Sequence, residues 1–213
     1  MKPGTRQKMI AGAADLIRRR GVNATSLRNV VNHTGTPRGS LAFHFPGGKL
    51  ELVGEAIALA DREVSIPLTH LMAEQGPVLG LRTFINGWKS ILETTQFEAG
   101  CTVLSVAIEP YTDDGKSSAS EEELKDAANQ LLEQAHQVFQ GWQKILAKAL
   151  RDGGVPQTRA KRLAALCVAS IEGTVAMCRA AKSTQALVWT GVELEALLES
   201  ATNSASTSPA LKL

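Results

Sequence analysis

The sequence predicts an all-α protein, and three observations carry that reading. The chain of 213 residues is 44% hydrophobic but only 4% aromatic, and alanine and leucine, both strong helix formers, supply most of its apolar side chains. Apolar residues recur at helical spacing along nearly its whole length. Its eight prolines cluster between the periodic segments. Three short elements over residues 1–50 and a longer helical body over 51–201 are expected. The polar residues 202–213 have no core-forming pattern and are expected to be a disordered tail.

Ile10, Ala13, Ala14 and Ile17 repeat at i, i+3, i+4, i+7 and predict a first helix over about 5–20, stopped by Gly21. Thr25 or Ser26 can cap a second helix, whose short stripe is Leu27, Val30 and Val31. It must end near Thr34-Gly35, where glycine tolerates a sharp turn. Pro37 suits the first position of a third helix, because its missing N–H costs nothing there. Leu41 and Phe45 fall on the inner face of that helix, leaving Arg38, Ser40 and His44 to point outward. Phe45-Pro46-Gly47-Gly48 breaks it, and a fourth helix starts near Lys49 with Leu50, Val53, Ala56, Ile57 and Ala60 as its apolar face.

Pro67 and Gly76-Pro77 mark breaks or a kink. Leu81, Phe84, Ile85, Trp88, Ile91 and Leu92 make a wide fifth stripe. Residues 101–109 are rich in β-branched side chains, which suit a strand, but a lone strand would have no partner; a short helix is expected. A loop follows over 110–119. Ser120 and Glu123 form a capping box opening a long helix to Asp152, with Leu124, Leu131, Phe139, Trp142 and Leu146 on its stripe. The helix over 157–182 is apolar around most of its circumference, which implies contact on two sides. A last helix spans about 187–200.

No apolar run approaches the roughly 20 residues that span a bilayer, and Asp15 and Arg18 to Arg20 interrupt any signal-peptide core in the basic N-terminal stretch; no membrane partner and a cytoplasmic location are expected. Cys101, Cys167 and Cys178 lack metal-ligand spacing and read as buried thiols, with a thiol sensor as the other reading. No catalytic constellation, cofactor loop or metal site is expected: His33, His44, His70 and His136 are scattered, and Gly47-Gly48 follows no strand.

Net charge is +2, but it is unevenly placed. Residues 1–50 hold nine basic side chains and a single acid, Asp15. The remaining residues hold 14 basic and 20 acidic side chains. A basic head suits a polyanion, and a mildly acidic body does not.

The second and third helices, each about two turns long and joined around Gly35, have the helix-turn-helix layout. Both are too short to be stable alone and need the first and fourth helices for support. Double-stranded DNA is therefore the expected partner. Arg38 is a candidate for a bidentate guanine contact or for a phosphate contact. Thr36, Gly39 and Ser40 are small enough for close approach to the groove. Thr25 and Ser26 sit at a helix N-terminus, which attracts phosphate, and Lys49 is expected to do the same at the fourth helix. Lys2, Arg6 and Arg28 add charge. His44 is a candidate phosphate donor or a packed histidine.

The N-terminal third resembles the DNA-binding domain of the tetracycline-repressor (TetR) family, through Ile10, Ala13, Leu16, Gly21, Thr25-Ser26-Leu27, Gly35, Gly39-Ser40-Leu41, His44-Phe45, Lys49 and Leu52. The run RGSL followed by HFPGGK is similar to the LmrA-like branch. So are Gly100-Cys101 with Ala107 and Glu109, and Ser170, Glu172-Gly173 and Arg179-Ala180. Four positions depart from the pattern: Val31 replaces a customary small alanine, Pro37 stands where a serine or threonine often caps, and the other two are Ala42 and Phe43. Ala42 stands where a tyrosine is usual, and Phe43 lacks the hydroxyl with which a tyrosine reaches a phosphate.

A single short recognition helix reads too few base pairs for genomic specificity, so a homodimer on a palindromic or pseudopalindromic operator is expected. The resemblance implies that the last two helices pair across a two-fold axis. Leu163, Leu166, Val175, Leu194, Leu197 and Leu198 are the candidate interface residues. The resemblance also implies a small-molecule pocket whose occupancy moves the fourth helix and misaligns the heads. Trp88, Ile108, Phe139, Trp142 and Met177 are candidate lining residues or plain core, and suggest a largely hydrophobic effector. Repression released by such an effector is the expected function. An activator, or a regulator with no effector, is the alternative, ahead of an all-helical enzyme or an adaptor.

Overall fold

The computed structural model describes residues 4–113 and 120–206. Among them every regular element is a helix: α1 Thr5–Arg20, α2 Leu27–Thr34, α3 Ser40–His44, α4 Gly48–Thr94, α5 Thr102–Ile108, α6 Glu121–Asp152, α7 Gln157–Ala181 and α8 Gln185–Ser206. The chain forms two compact units. One combines Met1–Glu63 with Ala99–Val138, the other Val64–Glu98 with Phe139–Leu213. Residues 1–50 are thus only part of the first unit.

In the first unit the stripe of α1 is inside, with Met9 and Ile17 fully buried. Gly21 ends the helix by donating its N–H to the Ile17 carbonyl at 2.8 Å. Ser26 caps α2: its Oγ accepts from the Asn29 N–H at 3.1 Å, satisfying one of the donors a helix start leaves open. Gly35 closes α2 in the left-handed conformation, φ 63°, where a side chain would be strained.

The third helix is shorter than the sequence predicts. Residues 37–39 make a tight turn, with the Ser40 N–H on the Pro37 carbonyl at 3.1 Å. The Ser40 hydroxyl donates to the same oxygen at 2.6 Å. That carbonyl is consumed by residue 40, so the α-helical ladder begins only there. Helix α5 settles the ambiguous stretch as helix, and packs on α1. Gly100 N–H donates to Arg18 O at 2.9 Å, and Thr102 Oγ1 to Ala14 O at 3.2 Å.

Helix α4 carries Pro67 without a break. Its non-helical residue is Gly76, at φ 74° and ψ 180°, and Pro77 follows where a helix start needs no N–H. The capping box of α6 forms: Ser120 N–H donates to Glu123 Oε2 at 2.7 Å, and Glu123 N–H to Ser120 Oγ at 3.2 Å.

In the second unit Leu68, Leu81, Leu92, Trp142, Leu150, Val175, Leu187 and Leu198 form the core. By length and composition α7 is apolar enough to cross a membrane, with mean hydropathy 1.5, a property the sequence reading missed. Half of that stretch is buried inside the protein. Cys101, Cys167 and Cys178 are all buried, and burial pushes the Cys167 thiol up to about 12. Helix α8 runs to Ser206, so residues 202–206, expected in the tail, are helical. The rest of the predicted tail, 207–213, lies outside the described residues.

Candidate nucleic-acid interface and effector domain

The outward face of α3 and its leading turn is made by Arg38, Gly39, Ala42 and Phe43, all exposed. Phe45, on the opposite side, is 1% exposed and pins the helix to the first unit, with Leu41 half-buried beside it. Ser40 and His44, expected to face outward, are both half-buried. The Phe43 and His44 rings meet edge-on with centroids 5.1 Å apart. Thr36 is half-buried, its hydroxyl 2.8 Å from that of Thr34. On α2, Arg28 is exposed, and Ser26 is half-buried at the helix start.

Two expected phosphate ligands are inside the protein. Thr25 is buried, and its hydroxyl donates to the Gly21 carbonyl at 2.8 Å. Burial at the foot of α2 leaves the exposed donors of that N-terminus to its neighbours. Lys49 is 3% exposed. Its Nζ donates to Thr112 O at 3.0 Å and lies 5.7 Å from the centroid of the Tyr111 ring. An ammonium committed to a carbonyl and an aromatic face is unavailable to a phosphate. A partner 63 residues away left no local signal in the sequence.

Asn23, in the α1–α2 turn, holds the same segment. It donates from Nδ2 to Pro110 O at 2.6 Å and accepts at Oδ1 from the N–H and hydroxyl of Thr112 at 3.0 and 2.7 Å. Its own N–H donates to Glu109 Oε2 at 3.2 Å. Residues 109–112 therefore form a strap that grips both the turn before α2 and the start of α4, the two supports between which α2 and α3 are held. Glu109 was expected at the end of a short helix and residues 110–112 in a loop with no partner assigned.

The basic head is less basic at its surface than its composition suggests. Arg6 pairs with Glu55 at 2.7 Å and stands 5.1 Å from the centroid of the Phe45 ring. Arg18 and Arg19 hydrogen-bond to Asp15 at 2.6 and 3.0 Å. Burial pushes the Asp15 carboxyl up, but those two guanidinium groups pull harder and hold it below its ordinary value. His33 Nε2 lies 3.3 Å from the same carboxylate. Arg28 and Arg38 remain as exposed cations on α2 and the turn into α3.

The five expected pocket residues do not converge. Trp142 lines a cavity of about 20 Å³ in the second unit, with Val64, Leu68, Leu81, Phe84, Leu146, Val168, Ile171 and Glu172. Trp88 is buried core, and Phe139 is half-buried edge-on to Trp142, centroids 5.4 Å apart. Neither is in the lining. Ile108 belongs to the first unit and is exposed, and Met177 is exposed on α7. Glu172, the lining's single ionisable side chain, was not anticipated.

The expected interface residues also divide. Leu163, Val175, Leu194 and Leu198 are buried in the protein's own core. Leu166 is exposed, and it shares an open groove of about 730 Å³ with Leu194, Leu197, Met177 and Trp189. Val188 and Val192 are exposed as well. The outer apolar face of α7 and α8 thus shares Leu194 alone with that buried set.

Comparison with known proteins agrees with this architecture. Residues 9–56 match the family model of bacterial regulatory proteins of the tetR family. Residues 77–191 match the LmrA/YxaF-like C-terminal domain of transcriptional regulators. An uncharacterised HTH-type transcriptional regulator of Mycobacterium tuberculosis is 34% identical over 83% of this chain and 84% of that protein. The HTH-type transcriptional regulator LmrA of Bacillus subtilis is 27% identical over 86% and 91%. Among solved structures, a TetR regulator from Legionella pneumophila superposes with a TM-score of 0.75 at 17% identity, covering 92% of this chain and 99% of that one. One from Chloroflexus aurantiacus gives 0.71 at 25%, covering 92% and 94%. A helix-turn-helix head carried by a wholly helical body, matched along both parts, makes this chain a DNA-binding transcriptional regulator of the TetR family with an LmrA/YxaF-like C-terminal domain.

Proposed function

We propose that the protein is a homodimeric repressor, working in the cytoplasm on a palindromic or pseudopalindromic operator, and released by a small, largely hydrophobic molecule. The outer apolar face of α7 and α8 carries the dimer reading. Leu166, Met177 and Trp189, which line one groove, are between 46% and 66% exposed, a concentration of apolar surface that a solitary water-soluble protein rarely leaves uncovered. Pairing two heads doubles the sequence read and supplies the specificity one short helix lacks.

The effector reading is supported by the cavity beside Trp142. At about 20 Å³ it holds one water-sized body, so an effector enters only as the walls part. Val64 and Leu68 of that wall belong to α4, whose first turn carries Lys49. An apolar body with one hydrogen-bond donor directed at Glu172 is the chemistry this lining suits.

Thermal-shift screening of aromatic and aliphatic compounds, followed by DNA-binding assays with each hit, tests both parts. Stabilisation by apolar compounds that also weaken DNA binding is expected, and Glu172→Gln should reduce it. Stabilisation only by small anions or sugars would overturn the effector assignment.

A further inference from the structure

Phe43 is 81% exposed, the highest value of any large apolar side chain among the described residues. It stands four positions after Gly39 and next to Ala42, both exposed, on the face that also presents Arg38. Arg38 is the sole charged side chain on that face, and Ala42 and Phe43 add only carbon. The nearest hydroxyl on the helix, that of Ser40, is held by the Pro37 carbonyl. The edge-on contact with His44 gives the Phe43 ring a neighbour on its flank while leaving most of it exposed.

Ala42 and Phe43 cannot read the donors and acceptors of base edges. The major groove offers one apolar group on a base edge, the 5-methyl of thymine, and alanine and phenylalanine side chains are among those that contact it. We propose that Phe43, with Ala42 beside it, is a specificity-determining residue that reads a thymine methyl in the operator, next to the base pair or phosphate met by Arg38. The inference rests on α3 entering the major groove, the docking of helix-turn-helix proteins.

The full-length protein would first select its duplex from a randomised pool. Each thymine in that duplex is then replaced by deoxyuridine, which removes the methyl and leaves every hydrogen-bonding group in place. For the native protein at least one replacement should weaken binding about fourfold, the worth of one buried methyl group. Phe43→Ala should bind the thymine and uracil duplexes alike, and Phe43→Leu, which keeps an apolar side chain, should retain part of the difference. Phe43 is exposed, so these variants should fold. Indifference of the native protein to every replacement would overturn the proposal, as would an equal loss in Phe43→Ala. Failure to enrich any duplex is a distinct result: it removes DNA reading itself, and the proposal with it.

Discussion

Lys49 Nζ donates to the carbonyl oxygen of Thr112 at 3.0 Å, and that carbonyl's own residue is anchored by Asn23 through both its N–H and its hydroxyl. One residue of the strap thus joins the turn before α2 to the first turn of α4. Lys49→Ala should lower the stability of the protein by about 1.5–3 kcal/mol, the net worth of a hydrogen bond from a charged donor, measured by chemical denaturation. The salt dependence of DNA binding should keep its slope, because the buried Lys49 ammonium is committed to the Thr112 carbonyl.

Arg28 should behave in the opposite way. It is exposed on α2, so Arg28→Ala should leave the denaturation midpoint within about 0.5 kcal/mol. Its effect should appear as a reduction of about 1 in the slope of log affinity against log salt. Titrations at several salt concentrations check it.

Arg38→Ala tests base reading. A bidentate guanine contact predicts a loss of about 1–3 kcal/mol that falls on particular base pairs. Selection of binding sites with the variant should return a consensus blurred at those positions. A uniform loss across sequences would assign Arg38 to phosphate instead.

The α7–α8 face separates two kinds of leucine. Leu166→Glu should dissociate the proposed dimer in sedimentation experiments, because that residue is 46% exposed beside the open groove. Leu198 is 0% exposed, and Leu198→Ala should instead cost about 2–5 kcal/mol of stability.

Asp15 makes the first unit sensitive to acid. Its carboxyl titrates below the ordinary 3.8, so its contribution is complete above that value and is lost as pH falls through the lower, folded value. Asp15→Asn should therefore melt earlier than the native protein at neutral pH, and the two melting curves should converge in strong acid.

The parts legible in the sequence are those with local causes. Gly21, Ser26 and Gly35 act on their own helices, so the ends of α1 and α2 stand where the spacing predicts. The Ser120–Glu123 box likewise announced α6. Lys49 was misread because its acceptor is contributed by a segment remote in the chain. Leu163, Val175, Leu194 and Leu198, expected at an interface, are buried in the protein's own core, because α7 and α8 have apolar residues on two sides. Periodicity finds a stripe but does not say whether it faces the protein's own core or a partner. The outward face of α3 was misjudged by assuming a helix from Pro37, when the ladder begins at Ser40.

The strap also bears on how such a regulator can be rebuilt. A DNA reader cut at residue 50 would take Asn23 and Lys49 with it and leave behind the backbone they hold. Grafting another regulator's head onto this body at that point would set foreign side chains against Pro110 and Thr112. Exchangeable heads in this protein are therefore discontinuous pieces, residues 4–63 together with α5 and the strap. Chimaeras that move both segments should read the donor's operator, and those that move the first alone should lose it.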